Sequence, residues 1–236
     1  MTDAKPGIFV ATPAYGGMVH YSYTQSLVKT FAWSVQEKVP LGIFMLGNES
    51  CISRGRNTLA HEFLKSGLSK LLFIDADLQW QAPDVALLWQ SEHRVVGGTY
   101  PIKKLPISIN VNPLAEHTKH FPTEQRTLAQ FRTWADAEAS PSGDVPVRHL
   151  PNGFMMIDRS VLTDLAPLCE QYDAIDMRTG NVEKHIEFFC MGAKRGKFIT
   201  EDWYISEKVL EVNCVPHLQT KIVLPHTGTH TYGVTE

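Results

Sequence analysis

Leu71-Leu72-Phe73-Ile74-Asp75-Ala76-Asp77 is the stretch on which the reading of the chain turns. Four apolar residues in a row read as a strand buried on both faces, the pattern of an α/β sheet. Two carboxylates one residue apart follow at its carboxyl end, where open α/β sheets bind their ligands. Such a pair can share one hard cation, because Mg²⁺ and Mn²⁺ take oxygen ligands and complete their shells with phosphate oxygens. The plainer alternative is a strand end with solvated turn aspartates.

Outward from this strand the chain alternates. Gly7 to Thr12 reads as a first buried strand, stopped by Pro13, Tyr15 and Gly16-Gly17. Leu27, Val28, Phe31, Ala32 and Val35 recur at helical spacing, and Leu41 to Met45 is again strand-like. Ser53 suits the N-cap of a helix ending at Gly67, which leads into the acidic strand. Pro83 fits the first turn of a helix through Trp89, with strands at Val95 to Tyr100 and Ile107 to Val111. This βαβ alternation predicts a mostly parallel central sheet flanked by helices. From Pro113 to Val147 the periodicity fades, and the stretch reads as an irregular insertion. Beyond it come a strand at Gly153 to Ile157, helices at Ser160 to Leu168 and Asp202 to Leu210, and a strand at Lys221 to Leu224.

The 236 residues, 43% apolar and 20% charged, suit one domain spanning 1–236. Twenty-two Lys and Arg against 25 Asp and Glu leave a formal charge of −3, which gives no electrostatic footprint for a nucleic acid or an acidic membrane. Cys51, Cys169, Cys190 and Cys214 are far apart, which argues against a zinc ribbon or a disulfide framework. No apolar run approaches the ~20 residues that span a bilayer. No signal-peptide pattern opens the chain, so the expectation is a cytoplasmic protein without a membrane span.

The apolar strand followed by Asp-x-Asp resembles the metal strand of the GT-A glycosyltransferases. Further segments fall in that family's order. Thr12-Pro13-Ala14-Tyr15 follows the first strand, where the family receives base and ribose. Ser53-Arg54-Gly55-Arg56-Asn57 is similar to the basic segment preceding the metal strand, and arginines at a helix start also suit an anion on general grounds. Asn152-Gly153-Phe154 resembles the glycine loop that lines the donor sugar. Thr200-Glu201-Asp202 is similar to the late acidic motif in which the second carboxylate, here Asp202, is the catalytic base of inverting members; acidic residues also favour helix starts for dipole reasons alone. Leu224-Pro225-His226 places His226 as the C-terminal histidine ligand, with His230 in reserve.

The resemblance implies a GT-A fold, Asp75, Asp77 and His226 around Mn²⁺ or Mg²⁺, a UDP- or GDP-sugar donor, and contacts to it from Thr12, Pro13, Tyr15, Arg54, Arg56, Asn57, Asp75, Gly153 and Glu201. It leaves the acceptor open among glycan, lipid, protein and modified DNA base; the 113–147 insertion matches no family pattern, and its loss of periodicity suggests an acceptor-side lid. Two other classes fit less well. A haloacid-dehalogenase-type phosphohydrolase places Thr or Val two residues beyond the second aspartate, where this chain has Gln79. A dinucleotide dehydrogenase needs Gly-x-Gly-x-x-Gly after its first strand, and Ala14-Tyr15-Gly16-Gly17 does not supply it. A non-catalytic nucleotide-sugar-binding module would not need the acidic pair, the acidic helix start and the histidine together.

Overall fold

The computed structural model describes residues 4–104, 106–115, 127–176, 179–194, 196–228 and the backbone of 231–232. In chain order these form β1 (Lys5–Ala14), α1 (Tyr21–Gln36), β2 (Leu41–Gly47), α2 (Ile52–Ser66), β3 (Leu68–Ile74), α3 (Ala82–Gln90) and β4 (Val95–Thr99). Then come the short strands β5 (Pro101–Ile102), β6 (Ser108–Ile109) and β7 (Asn112–Pro113), followed by α4 (Leu128–Glu138), β8 (Asp144–His149), β9 (Phe154–Asp158) and α5 (Arg159–Leu165). Two hairpins follow, β10 (Gln171–Ile175) with β11 (Val182–Ile186) and β12 (Gly192–Lys194) with β13 (Lys197–Ile199). Last are α6 (Glu201–Leu210), β14 (His217–Val223), β15 (His226–Thr227) and β16 (Thr231–Tyr232).

An eight-stranded sheet runs in the order β2-β1-β3-β9-β4-β14-β8-β7. Leu71, Leu72, Phe73 and Ile74 of β3 are fully buried between β1 and β9. Their side chains alternate between two cores, as strand geometry requires. Leu71 and Phe73 meet Phe63 of α2, Trp134 of α4, Leu162 of α5 and Val209 of α6 on one face. Leu72 and Ile74 meet Tyr23 of α1 and Leu88 of α3 on the other. The protein is thus a mixed α/β fold with helices on both faces of the sheet.

Two expectations are corrected. The sheet is not mostly parallel: β1 pairs in parallel with β2 and β3, and β4 with β14, but the other four pairings are antiparallel. The cause is β9, which returns from late in the chain and inserts antiparallel between β3 and β4, a long-range event that local alternation cannot foresee. The 113–147 stretch is not irregular throughout either. A reciprocal Thr127–Gln130 capping box starts α4, which buries Phe131, Trp134 and Ala135, and β8 pairs with β14. Residues 116–126 of that stretch lie outside the described residues.

α1 also packs otherwise than its apolar pattern suggests. It buries Ser22, Ser26, Thr30 and Ser34, a small polar ridge at four-residue spacing, while Val28, Phe31 and Val35 are 64%, 53% and 63% exposed. The ridge accepts Trp80: its indole Nε1–H donates to Thr30 Oγ1 at 2.8 Å and its backbone N–H to Ser26 Oγ at 3.1 Å. Small side chains let helix and loop approach closely, and the two hydroxyls satisfy the tryptophan's buried donors. Among the described residues no helix is long and apolar enough to cross a membrane.

Candidate active site

Where β3 ends, three backbone links fix the acidic loop. The Asp75 N–H donates to Gly153 O at 2.9 Å, and the His20 N–H donates to Ala76 O at 2.8 Å. The third link joins the loop to β15: Leu78 forms an isolated bridge with His226, and the Thr227 N–H donates to Asp77 O at 2.9 Å. The sequence-distant histidine is thereby carried to the Asp-x-Asp turn by main-chain hydrogen bonds. Above the turn opens a cavity of about 690 Å³ lined by residues that include Pro13, Tyr15, Arg56, Asp75, Asp77, Lys103, Glu201 and His226.

Asp77 stands between an ammonium and an imidazole. Its Oδ2 accepts from the Lys103 ammonium and its Oδ1 lies 3.3 Å from His226 Nε2. His226 Nδ1 is 2.8 Å from the Pro101 carbonyl, so it donates there and orients Nε2 toward Asp77. Burial pushes the Asp77 carboxyl up, but His226 and Lys103 outweigh it and hold the acid below the usual aspartate range.

Asp75 does something different. Its Oδ1 accepts from Arg56 Nη2 at 3.0 Å, while Arg56 Nε reaches Glu201 Oε1 at 3.3 Å. The guanidinium lies over the Phe73 ring, its side chain is 3% exposed, and its Nη1 is buried without a hydrogen-bond partner. Burial disfavours this charge, yet Asp75 and Glu201 raise the arginine's pKa above its ordinary value. Glu201 is pushed up, first by burial, with Arg56 pulling the other way and Asp202 adding to the rise.

The donor set fits a divalent ion in part. Asp77 Oδ1 and His226 Nε2 are spaced as neighbouring ligands of one ion, and the Nδ1 hydrogen bond is the outer support such a histidine ordinarily has. Asp75 does not join them: ligand atoms of Asp75, Asp77 and His226 do not all lie within 4.8 Å of one another. A cation here would take two protein ligands and fill its shell with water and phosphate oxygens, as Mg²⁺ commonly does.

The chain matches no protein-family model and no curated protein. The fold, however, has a solved counterpart. The crystal structure of A197 from STIV matches with a TM-score of 0.53 at 16% identity, over 94% of this chain and 86% of that one. The crystal structure of GalNAc-T7 with UDP, GalNAc and Mn²⁺ also matches, with a TM-score of 0.46 at 10% identity over 94% of this chain and 44% of that one. This chain therefore spans less than half of the latter's length. The first likeness establishes a shared fold, and the second is too distant to bear an argument.

Not every residue singled out in the sequence comes to the cavity. Arg54 is held by Glu49 through Nε and Nη2 at 2.7 and 2.9 Å, away from the acidic turn. Residues two apart on a helix point some 200° apart, so Arg54 and Arg56 cannot serve one ligand. Asn57 is spent on the backbone of Phe189, donating to its carbonyl at 2.9 Å and accepting its N–H at 2.8 Å. Thr12 is fully buried and hydrogen-bonds the Tyr23 hydroxyl. Asp202, in the first turn of α6, accepts from the Thr200 hydroxyl and the Trp203 N–H and is not among the cavity's lining residues. His230 lies outside the described residues.

Gly153 backs the site instead of lining it. A Cβ there would come within 2.5 Å of Asp75 Oδ2 and 2.4 Å of the Tyr100 hydroxyl, so only glycine permits the contact. Tyr100, buried beneath, accepts the Gly153 N–H at 2.9 Å, and burial together with Asp75 raises its phenol well above the ordinary value. Lys103, Tyr100 and His20 escaped the sequence reading. The basic pair Lys103-Lys104 just past a strand end was the available signal for the first; nothing local marked the other two.

Proposed function

We propose that this chain is a glycosyltransferase that moves a sugar from a UDP- or GDP-sugar to an acceptor hydroxyl, with Mn²⁺ or Mg²⁺ held by Asp77 and His226. The observation that supports this best is the Asp77–His226 pair, 3.3 Å apart at the end of a buried strand and open to a cavity of ligand size. A divalent ion bound there would supply charge neutralisation for the departing diphosphate.

The protein's own groups divide the remaining work. Pro13 and Tyr15 form the wall for the nucleoside. Arg56, locked between Asp75 and Glu201, holds both carboxylates in place instead of gripping phosphate, which leaves Asp75 a second oxygen for the ribose. Lys103 exchanges Asp77 for a diphosphate oxygen when donor and cation enter. Asp202 follows the cavity-lining Glu201 and, with its hydrogen bonds among the described residues confined to Oδ1, would take the proton of an acceptor arriving at the cavity's edge.

Incubation with a panel of UDP- and GDP-sugars plus Mn²⁺ should release nucleoside diphosphate, and a chelator should stop it. Asp77→Asn should lower that release by roughly 10²-fold or more. Its stability should change by about 1 kcal/mol or less, because the lost ion pairs are partly solvated. Release that persists undiminished in Asp77→Asn would refute the reading.

A further inference from the structure

A second group of ligand-type side chains lies where α2 packs against the β10–β11 hairpin, and the reaction proposed above makes no use of it. Glu183 and His185 are two apart on β11 and therefore share one face of the hairpin. That face meets α2, which presents His61 and, one turn later, Lys65. His61 Nε2 lies 2.7 Å from Glu183 Oε2, and each of His61, Glu183 and His185 offers a donor atom within 4.8 Å of the others. The His61 and His185 rings stack at 4.1 Å.

His185 is the telling member. It is 3% exposed, and its Nδ1 is buried with no hydrogen-bond partner. Leaving a buried nitrogen unsatisfied is costly, and a simple His61–Glu183 hydrogen bond does nothing to relieve it. A neighbouring all-oxygen triad, Glu62, Asp176 and Glu183, is a poorer claimant for a metal. The Lys65 ammonium lies 3.2 Å from Glu62, 3.1 Å from Glu183 and 3.6 Å from Asp176, so a cation on the two histidines shares Glu183 with Lys65, which keeps Glu62 and Asp176 as its other partners.

We propose that His61, Glu183 and His185 form a site for a zinc-type divalent cation that fastens the β10–β11 hairpin to α2. Two imidazole nitrogens and one carboxylate oxygen suit the borderline-soft Zn²⁺, whereas the hard Mg²⁺ prefers oxygen. Closing the shell requires the stacked rings to splay so that both nitrogens face one point. Tetrahedral ligands at ~2.1 Å stand roughly 3.4 Å apart, so the 2.7 Å pair opens by well under 1 Å. The soft χ2 torsion of histidine accommodates both adjustments. The cation would also border a cavity of about 460 Å³ lined in part by His185, Glu62 and Tyr172.

The test uses the full chain carrying Asp77→Asn, so that the acidic turn contributes no metal binding of its own. After chelator stripping, titration with Zn²⁺ against a chromophoric competitor should show one equivalent bound at about 1 µM or tighter. His61→Ala and Glu183→Gln should each weaken binding at least ~10-fold. Both replace partly exposed residues and should leave a folded protein, unlike the buried His185. Zn²⁺ should also raise the melting temperature of the parent and not of His61→Ala. Absence of Zn²⁺ binding in the folded parent, or unchanged affinity in both variants, would overturn the site. Either result leaves the glycosyltransferase reading untouched, because that rests on Asp77 and His226.

Discussion

Asp77 already neutralises an ammonium through one oxygen and faces an imidazole with the other, so an incoming divalent ion must displace Lys103 or share the carboxylate with it. On the proposed function a diphosphate would offer the displaced lysine a new partner, so that cation and nucleotide binding would help each other. On the proposed function Asp202 is the second residue on which the chemistry depends, yet its hydrogen bonds to Thr200 and Trp203 in the first turn of α6 account for its presence without any chemistry. Asp202→Asn separates the roles, since asparagine caps helices about as well as aspartate. Loss of a proton acceptor should cut glycosyl transfer by roughly 10²- to 10⁴-fold with donor affinity unchanged, and transfer within about threefold of the parent would remove Asp202 from the mechanism. The acidic pair could be read from sequence because a strand end and two carboxylates are local facts. Arg54 misled because adjacency in sequence is not adjacency on a helix. Lys103 announced itself only as part of a basic pair, because its meeting with Asp77 depends on how β4 and β5 lie beside the acidic turn.

Elements tell a similar story for α1. Its apolar residues betray a helix by their spacing, yet Val28, Phe31 and Val35 face outward and the Ser22-Ser26-Thr30-Ser34 ridge faces in. Thr30→Val should cost about 1–3 kcal/mol, because the buried Trp80 indole N–H loses its acceptor. Phe31→Ser should stay within about 0.5 kcal/mol of the parent. Denaturant unfolding of both variants checks this, and the opposite ranking would mean the helix is rotated. The strands most easily read, β1 and β3, are those buried on both faces, with Leu71, Leu72, Phe73 and Ile74 all fully enclosed. The hairpins β10–β11 and β12–β13 were not legible. Their residues alternate weakly, with Ile175, Val182 and Phe198 left exposed, and their pairing is with each other instead of the central sheet.

At the scale of the whole molecule, the parallel block β2-β1-β3 delivers the acidic turn, and later elements complete the site around it: β9 behind Asp75, α6 with Glu201, β15 with His226. This is why the first half of the chain reads so directly as a parallel α/β arrangement while the sheet as a whole turns out mixed. The central claim is that nucleotide and divalent ion bind together at Asp77 and His226. Calorimetric titration of UDP and of GDP into the chain, with and without Mn²⁺, measures that coupling directly. Mn²⁺ should tighten at least one of the two by roughly 5- to 150-fold, and His226→Ala should abolish the gain while metal-free nucleotide affinity is kept. Equal affinity with and without Mn²⁺, or a full metal effect surviving in His226→Ala, would contradict it.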